Sequence, residues 1–257
     1  MSRATERNAK SSLLGVNSPI IQAVQVSRDY VLAGETIHAV RSVDFEVHRG
    51  EFITLVGRSG SGKTTLMNML AGLDSPTSGT VLFEGEHVAG FSEKQLMQLR
   101  RKRIGVVFQS FSLLPLLSAY ENVELPMRIS GLSATERLKR TQRVLEMVGM
   151  ERRAKHRPYE LSGGEQQRIA IARAVAMQPD VILADEPTGE LDSVNAAAIF
   201  GLFRQMVTDE GMSIVATTHD RTLLDISDRI YTVHNGELEV SKVGVQVNNH
   251  ARFKRPE

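Results

Sequence analysis

Cysteine is absent from the 257 residues of this chain, and aromatic residues make up only 5% of it. The absence of cysteine excludes disulfides and thiolate-bound zinc or iron–sulfur clusters. The formal net charge is +1, so no overall electrostatic field favours nucleic acid or an anionic membrane. We therefore expect no nucleic-acid partner.

Long apolar runs are also missing. The densest apolar stretch, SFSLLPLL at 110–117, is short and is interrupted by Pro115. A membrane-spanning helix needs about 20 apolar residues. The N-terminal segment has no continuous apolar stretch of the kind found in signal peptides. We expect a chain that contacts the membrane only through a partner.

The length of 257 residues suits one large α/β domain, or such a domain with a small helical insertion. Residues 1–18 are polar and lack hydrophobic periodicity, which is typical of a flexible tail. Residues 241–257 are polar, and we expect a second loosely ordered tail there. The predicted domain therefore covers 19–240.

Apolar runs separated by turn residues predict two kinds of strand. Near-continuous apolar runs indicate strands buried on both faces, as in a parallel sheet flanked by helices; they cover 51–56, 104–108, 181–185 and 213–218. Other runs indicate a mixed or antiparallel layer; they cover 21–26, 44–47 and 80–83. An Asn-Gly pair at 235–236 predicts a hairpin that joins strands 230–233 and 237–240.

Helices are predicted between these strands. One follows a glycine-rich loop and begins at Lys63, and capping boxes predict helix starts at Ser92 and Ser133. Residues 115–175 contain no convincing strand. We therefore predict a helical subdomain, at about 112–175, inserted into the α/β core.

The sequence GRSGSGKT at 57–64 lies between a predicted strand and a predicted helix, which is the context of a phosphate-binding P-loop. Backbone N–H groups and the helix N-terminus then face the phosphates. We expect Lys63 to reach the β- and γ-phosphates and the Thr64 hydroxyl to bind Mg²⁺. The predicted nucleotide-binding residues are Gly57, Arg58, Ser59, Gly60, Ser61, Gly62, Lys63, Thr64 and Thr65. The context disfavours a mere glycine-serine turn, but alone the loop indicates only a nucleoside triphosphate.

The segment VILADEP at 181–187 is an apolar strand followed by two acids, and Pro187 is expected to end it. Asp185 can hold Mg²⁺ beside the phosphate loop, directly or through water. Glu186 can orient and deprotonate the attacking water. The alternative is an acidic turn after a core strand, which the presence of the phosphate loop disfavours.

A second helix start with anion-binding features lies in LSGGEQQRIAIARA at 161–174. Ser162 and Glu165 form a predicted capping box, and Gly163 and Gly164 expose the backbone at the helix N-terminus. The alternative is a well-capped amphipathic helix without a ligand. That interpretation leaves two consecutive glycines unexplained at positions that weaken a helix.

With this motif the chain resembles the ABC ATPase family, from about residue 20 to residue 240. The resemblance implies an α/β fold: a P-loop ATPase with a RecA-like mixed sheet core, an antiparallel β subdomain and an inserted α-helical subdomain. It also implies ATP hydrolysis, with Mg²⁺ as the cofactor.

Four further residues take roles by this resemblance. Tyr30 resembles the aromatic residue that stacks on adenine, and Gln109 resembles the Q-loop glutamine that contacts Mg²⁺ and water. Asp192 resembles the acid of the D-loop, TGELD at 188–192, and His219 resembles the switch histidine that contacts the γ-phosphate. On residue type alone, a lone tyrosine or histidine at a strand end is usually packing or a polar cap.

The resemblance implies a head-to-tail dimer. Each ATP would lie between the phosphate loop of one copy and the signature helix of the other, where Ser162 and Gly164 contact the γ-phosphate. Only one set of motifs is present, so the partner is a second copy or a paralogue. Hydrolysis would remove the phosphate that holds the pair closed.

Three connecting stretches, 66–85, 103–127 and 156–174, are similar to the LolD/MacB/FtsE-type branch. The branch implies a membrane permease partner and a peripheral position on the cytoplasmic face of the inner membrane. It serves export, lipoprotein release or mechanical transmission. Glu190 departs from the branch, which commonly has Asn or Ala there. The alternative, a soluble ABC ATPase for DNA repair or translation, is disfavoured because no long coiled coil, zinc cysteines or second cassette is visible.

Two clusters remain open. One is apolar and either receives a permease helix or belongs to the core of the helical subdomain; it comprises Phe111, Leu113, Leu114, Leu116 and Leu117. The other, Arg100–Arg103, is more typical of a solvated helix end than of a nucleic-acid or lipid patch.

Overall fold

The computed structural model describes residues 18–32 and 34–243. Its strands are β1 (Ile21–Leu32), β2 (Glu35–Val47), β3 (Phe52–Val56), β4 (Ser78–Phe83), β5 (Glu86–His87), β6 (Ile104–Val107), β7 (Val181–Ala184), β8 (Ser213–Thr218), β9 (Arg229–His234) and β10 (Glu237–Val243). Its helices are α1 (Lys63–Leu70), α2 (Glu93–Lys102), α3 (Ala119–Ile129), α4 (Ala134–Met147), α5 (Gly163–Val175) and α6 (Ser193–Glu210). Short 3₁₀ turns cover Val88–Gly90, Glu151–Arg153, Pro158–Glu160 and Arg221–Ile226.

The two predicted tails, 1–18 and 241–257, lie outside the described residues except for Ser18 and 241–243. Residues 241–243 belong to β10. The strand therefore continues past residue 240, where the sequence analysis placed the end of the domain.

The strands form two sheets. A four-stranded sheet has the order β2-β1-β4-β5, and its neighbours are antiparallel. A six-stranded sheet has the order β10-β9-β3-β8-β7-β6, in which only the β9–β10 hairpin is antiparallel. The predicted α/β fold, with a mixed sheet core and an antiparallel β layer, is confirmed.

Strands β1 and β2 extend well beyond the predicted runs 21–26 and 44–47. Their outer halves pair only with each other, because the last β1–β4 pair joins Ser27 to Ser78. Val31, in the outer half, is 74% exposed. Apart from the buried Val40, the side chains of these outer halves are partly or fully exposed. The sequence therefore lacks the alternating apolar pattern from which the extension could be predicted.

The six-stranded sheet separates two apolar clusters. On one face, the rings of Phe52, Phe200 and Phe203 pack within 5.8–6.2 Å of one another. On the other face, Leu55 and Leu66 join the cluster beneath α1 and the antiparallel sheet. Burial on both faces explains why these strands read as near-continuous apolar runs.

The inserted segment between β6 and β7 contains α3, α4 and α5 and no strand, as predicted. Ser133 accepts the backbone N–H of Glu136 and so begins α4. The predicted capping box there is only half formed, because the Glu136 carboxylate instead pairs with Arg140, 2.5 Å away. Boxes at Ser92 and Ser162 are complete.

Strands β3, β8 and β7 are adjacent and parallel, so their carboxyl ends share one edge of the sheet. The phosphate loop follows β3, Asp185 follows β7 and His219 follows β8. Functional side chains of open α/β sheets collect at this edge.

In the basic run at the end of α2, Arg103 differs from the predicted solvated helix end. Arg103 is half buried over the ring of Phe83, at 4.9 Å, and pairs with Asp180 and Glu84. Burial by itself would lower the pKa of Arg103, but the hydrogen bonds and negative charges of Asp180 and Glu84 together outweigh it and raise that pKa above its ordinary value. Arg101 remains exposed.

We expect Arg103→Ala to lower the free energy of unfolding by about 2 kcal/mol or more, because it leaves the buried Asp180 carboxylate with less compensating charge. Arg101→Ala, two residues away and exposed, should change it by less than about 0.5 kcal/mol. Urea unfolding of both variants tests this. Equal effects would contradict the structural role of Arg103.

Candidate active site

The phosphate loop is packed closely at its first and last glycines. A Cβ atom on Gly57 would lie 2.4 Å from the carbonyl oxygen of Val233, and one on Gly62 would lie 2.3 Å from that of Ala39. Gly62 also has a φ of 108°, which side chains rarely adopt. The loop is thus held between β9 and β2.

The Lys63 ammonium lies at the centre of the loop and is 4% exposed. Its Nζ donates to the carbonyl oxygens of Gly57 at 2.9 Å and Arg58 at 3.0 Å, and it lies 3.4 Å from Oε1 of Glu186. A buried charge requires such partners. These contacts curl the loop around the ammonium.

Helix α1 begins at the end of the loop. The amide of Leu66 makes an intrahelical bond to the Gly62 carbonyl, at 2.9 Å. The N–H groups of Lys63, Thr64 and Thr65 precede that bond, so the helix itself offers them no acceptor. They form a concentrated donor set for an anion.

Two acids follow β7 and share one hydroxyl. Thr217 Oγ1, on β8, accepts the backbone N–H of Glu186 at 2.6 Å and donates to Oδ1 of Asp185 at 2.8 Å. The Asp185 N–H donates to the Val107 carbonyl at 2.8 Å. The strand itself ends at Ala184, earlier than the predicted stop at Pro187, because the chain turns at Glu186, which has a φ of 42°.

The Glu186 carboxylate lies between two basic groups. Its Oε1 faces the Lys63 ammonium, and its Oε2 lies 3.7 Å from Nδ1 of His219. His219 is 64% exposed, whereas Glu186 is 19% exposed. The structure therefore brings the predicted general base, lysine and switch histidine together from three separate strands.

Gln109 lies beside the D-loop. A Cβ on Gly189 would lie 3.0 Å from Nε2 of Gln109, so the Gln109 side chain lies close to the backbone of Gly189. The Gly189 N–H donates to the Glu186 carbonyl at 3.0 Å. The predicted Q-loop residue is therefore one short turn away from Glu186, the predicted general base.

The predicted signature residues form a separate cluster at the N-terminus of α5. The N–H and hydroxyl of Ser162 donate to the Glu165 carboxylate, at 2.9 and 3.0 Å. The pKa of Glu165 lies below its ordinary value, chiefly because of the Ser162 backbone hydrogen bond. Ser162 is exposed, whereas Gly164 is buried against Asn195.

Asp192 of the D-loop caps α6 and holds Asn195. Its carboxylate accepts the Asn195 backbone N–H at 2.9 Å and the side-chain amide at 2.7 Å. The backbone hydrogen bond is the main reason that the pKa of Asp192 is lowered. Since a Cβ on Gly164 would lie 2.8 Å from Oδ1 of Asn195, the D-loop and signature helix meet within one chain.

Tyr30 is not placed beside the phosphate loop. Its hydroxyl donates to Asp74, at 2.7 Å, beyond the carboxyl end of α1, and the Arg28 guanidinium lies 4.6 Å from the ring centroid. The phosphate loop lies at the opposite end of that helix. Adenine stacking on Tyr30 therefore stays a prediction.

Three residues that hold the site were not identified from the sequence. Thr217 joins the two acids, Asn195 joins the D-loop to the signature helix, and Arg173 donates to the carbonyls of Phe111 and Ser112 after the Q-loop. Burial lowers the pKa of Arg173. A polar residue in a buried strand, as at Thr217, was the one available signal.

The residues fit Mg²⁺ and a triphosphate. The Ser61 hydroxyl is buried in the loop and has no hydrogen-bond partner among the described residues. A buried hydroxyl of this kind needs one, which an added phosphate can supply. The side chains predicted to bind Mg²⁺, those of Thr64, Asp185 and Gln109, carry oxygen atoms of the type that Mg²⁺ prefers.

Comparison with known proteins identifies the family. The ABC transporter family profile matches residues 40–189. The chain belongs to the ABC transporter family of ATP-binding proteins. It is an ABC-type ATPase, as predicted. Within the described part of this ABC ATPase, each helix is too short or too polar to cross a membrane.

Relatives of this ABC ATPase include stand-alone and permease-fused proteins. The uncharacterized ABC transporter ATP-binding protein YknY of Bacillus subtilis is 44% identical over 225 residues, which are 88% of this chain and 97% of YknY. The macrolide export ATP-binding/permease protein MacB of an Azoarcus species is 42% identical over 89% of this chain and 35% of MacB. The predicted resemblance to the LolD/MacB-type branch is confirmed.

Solved structures of the MJ0796 cassette share the fold of this ABC ATPase. One dimeric structure of MJ0796, from Methanocaldococcus jannaschii, has a TM-score of 0.79 and 41% identity over 85% of this chain and 96% of that chain. Another is a dimeric post-hydrolysis state bound to ADP and Pi, with a TM-score of 0.79 and 39% identity over 86% of this chain and 99% of that one.

We expect Gly62→Ala to lower the free energy of unfolding by about 2 kcal/mol or more, because its Cβ would strike the Ala39 carbonyl in a strained backbone conformation. Gly60→Ala is the matched control, since Gly60 has a positive φ of 76° but open space around it. It should lose about 1 kcal/mol. Urea unfolding without nucleotide measures both, and equal losses would contradict the close packing at Gly62.

Proposed function

We propose that this chain is the ATPase subunit of a MacB-type transporter, and that it dimerises around two Mg²⁺·ATP to drive a membrane permease. The observation that carries the proposal is the position of the Glu186 carboxylate, between Lys63 and His219 at the mouth of the phosphate loop. The permease acts in export, lipoprotein release or mechanical transmission.

Hydrolysis follows from the groups around Glu186. The carboxylate accepts a proton from the attacking water, and His219 contacts the γ-phosphate from the exposed side. Lys63 exchanges its loop carbonyls for the β- and γ-phosphate oxygens. Thr64, Asp185 and Gln109 would hold Mg²⁺, which would neutralise phosphate charge when bound.

The second nucleotide contact comes from another copy. Ser162 is exposed and lies at the N-terminus of α5, where the helix dipole and free N–H groups favour an anion. Within its own chain, Ser162 is engaged with Glu165 and not with the phosphate loop. A homodimer, or a pair with a paralogue, places it on the partner's γ-phosphate.

The permease contact falls on the segment after the Q-loop. Leu114 and Leu116 are 44% and 80% exposed, and we assign them to the permease-docking surface. Leu113 packs against the core cluster instead. The chain thus sits peripherally on the cytoplasmic face of the inner membrane and touches the membrane only through the permease. A soluble ABC ATPase that is not coupled to transport is the alternative, and co-purification with membranes separates the two.

Glu186→Gln should lower ATP turnover by about 100-fold or more, because the amide cannot accept the proton of water. Nucleotide affinity should change little, and a stable dimer should accumulate in the presence of ATP. Phosphate release and light scattering measure these two effects. Glu93→Gln, an exposed carboxylate at the start of α2, is the control; turnover near wild type in Glu186→Gln would exclude Glu186 as the base.

Ser162→Arg should prevent ATP-driven dimerisation while the affinity of the phosphate loop for ATP is kept, because the arginine fills the space of the partner's γ-phosphate. Ser92→Arg removes the same type of capping box from α2 and controls for the loss of helix stability, about 1 kcal/mol. Nucleotide titration and dimer mass are measured together. Equal loss of both in Ser162→Arg would contradict the role in the partner's site.

A further inference from the structure

One buried hydroxyl on the central strand β8 contacts both acids of the site. Thr217 is 0% exposed and lies in a strand whose side chains are all buried. A buried polar group destabilises a core unless it is hydrogen-bonded. The Thr217 hydroxyl has two partners within 2.8 Å, the Glu186 backbone N–H and the Asp185 carboxylate.

The direction of both hydrogen bonds is fixed. An N–H only donates, so the Glu186 amide must use a lone pair of the threonine oxygen. The single hydroxyl proton then points to Oδ1 of Asp185. Because one oxygen bonds both the Asp185 carboxylate and the Glu186 backbone N–H, Thr217 restrains the orientation of that carboxylate relative to the Glu186 backbone.

The Glu186 backbone needs such support. Its φ of 42° lies in the left-handed region, which is uncommon for a residue with a side chain. A strained conformation of this kind persists only when its surroundings hold it. The Thr217 hydrogen bond is one restraint, and the Gly189 N–H on the Glu186 carbonyl is another.

We infer that Thr217 is a positioning residue for ATP hydrolysis: its hydroxyl aims the Glu186 carboxylate at the attacking water and orients Asp185 toward Mg²⁺. This inference rests on the proposed roles of the two acids. Thr217 itself touches neither phosphate nor water in this mechanism and acts through Asp185 and Glu186.

Thr217→Val keeps the shape of the side chain and removes the hydroxyl. We expect kcat to fall about tenfold or more, because small misplacements of a reacting group carry effects of that size. The KM for ATP should stay within about threefold, since the loop donors are untouched. The dissociation constant for Mg²⁺, measured by a binding titration of the ATP complex, should rise, because Asp185 loses its orienting donor.

Two controls isolate the hydroxyl. Thr217→Ser keeps it and should return kcat to within about threefold of wild type. Thr54→Val makes the same chemical change on the neighbouring strand β3, where the buried Thr54 hydroxyl pairs with Ser227 at 2.6 Å. Thr54→Val should lower the free energy of unfolding about as much as Thr217→Val does, but it should leave kcat and the Mg²⁺ affinity near wild type.

If Thr217→Val folds poorly, Thr217→Ala replaces it, and the comparison with Thr217→Ser still differs only in the hydroxyl. A kcat equal in Thr217→Val and Thr54→Val, or equally low in the serine and alanine variants, overturns the inference. Glu186→Gln, measured in parallel, separates a failure of the Thr217 role from a failure of the proposed base. If it is inactive while Thr217→Val is fully active, only the Thr217 role fails; if it stays active, the proposed base fails.

Discussion

A buried ammonium organises this active site. Lys63 is only 4% exposed, and its buried charge is stabilised by two loop carbonyls and the Glu186 carboxylate. The same contacts bend the loop after β3 and draw the end of β7 toward it. The charge that shapes the loop is also the charge that we assign to the triphosphate. Folding and chemistry therefore depend on one side chain, placed by a sheet whose parallel strands end together.

Features with local signals could be predicted from the sequence. The buried parallel strands, the helix starts at Ser92 and Ser162 and the strand-free insertion all follow from short-range patterns of apolar and capping residues. The length of the β1–β2 ribbon and the half-formed box at Ser133 could not, because exposure and a competing arginine decide them. The prediction that Arg103 is solvated was wrong for a similar reason, because its partners Glu84 and Asp180 lie far away along the chain.

The candidate site residues could be identified from sequence motifs, whereas the residues that hold them in place could not. The structure gathers Lys63, Glu186 and His219 at one edge of the sheet. The sequence does not predict that Asn195 bridges the D-loop and the signature helix, because its contact with Gly164 forms only in the folded chain. Tyr30 shows the converse: a motif residue whose ring is held at the far end of α1 by Asp74.

The phosphate loop is clamped by one strand from each sheet, through the carbonyls of Val233 and Ala39. Close packing at both ends leaves the phosphate loop little room to move there when a phosphate binds or leaves. We therefore expect any displacement in parts of the chain outside this clamp. A phosphate loop that is fixed at both ends would pass the effect of phosphate release on to the rest of the chain.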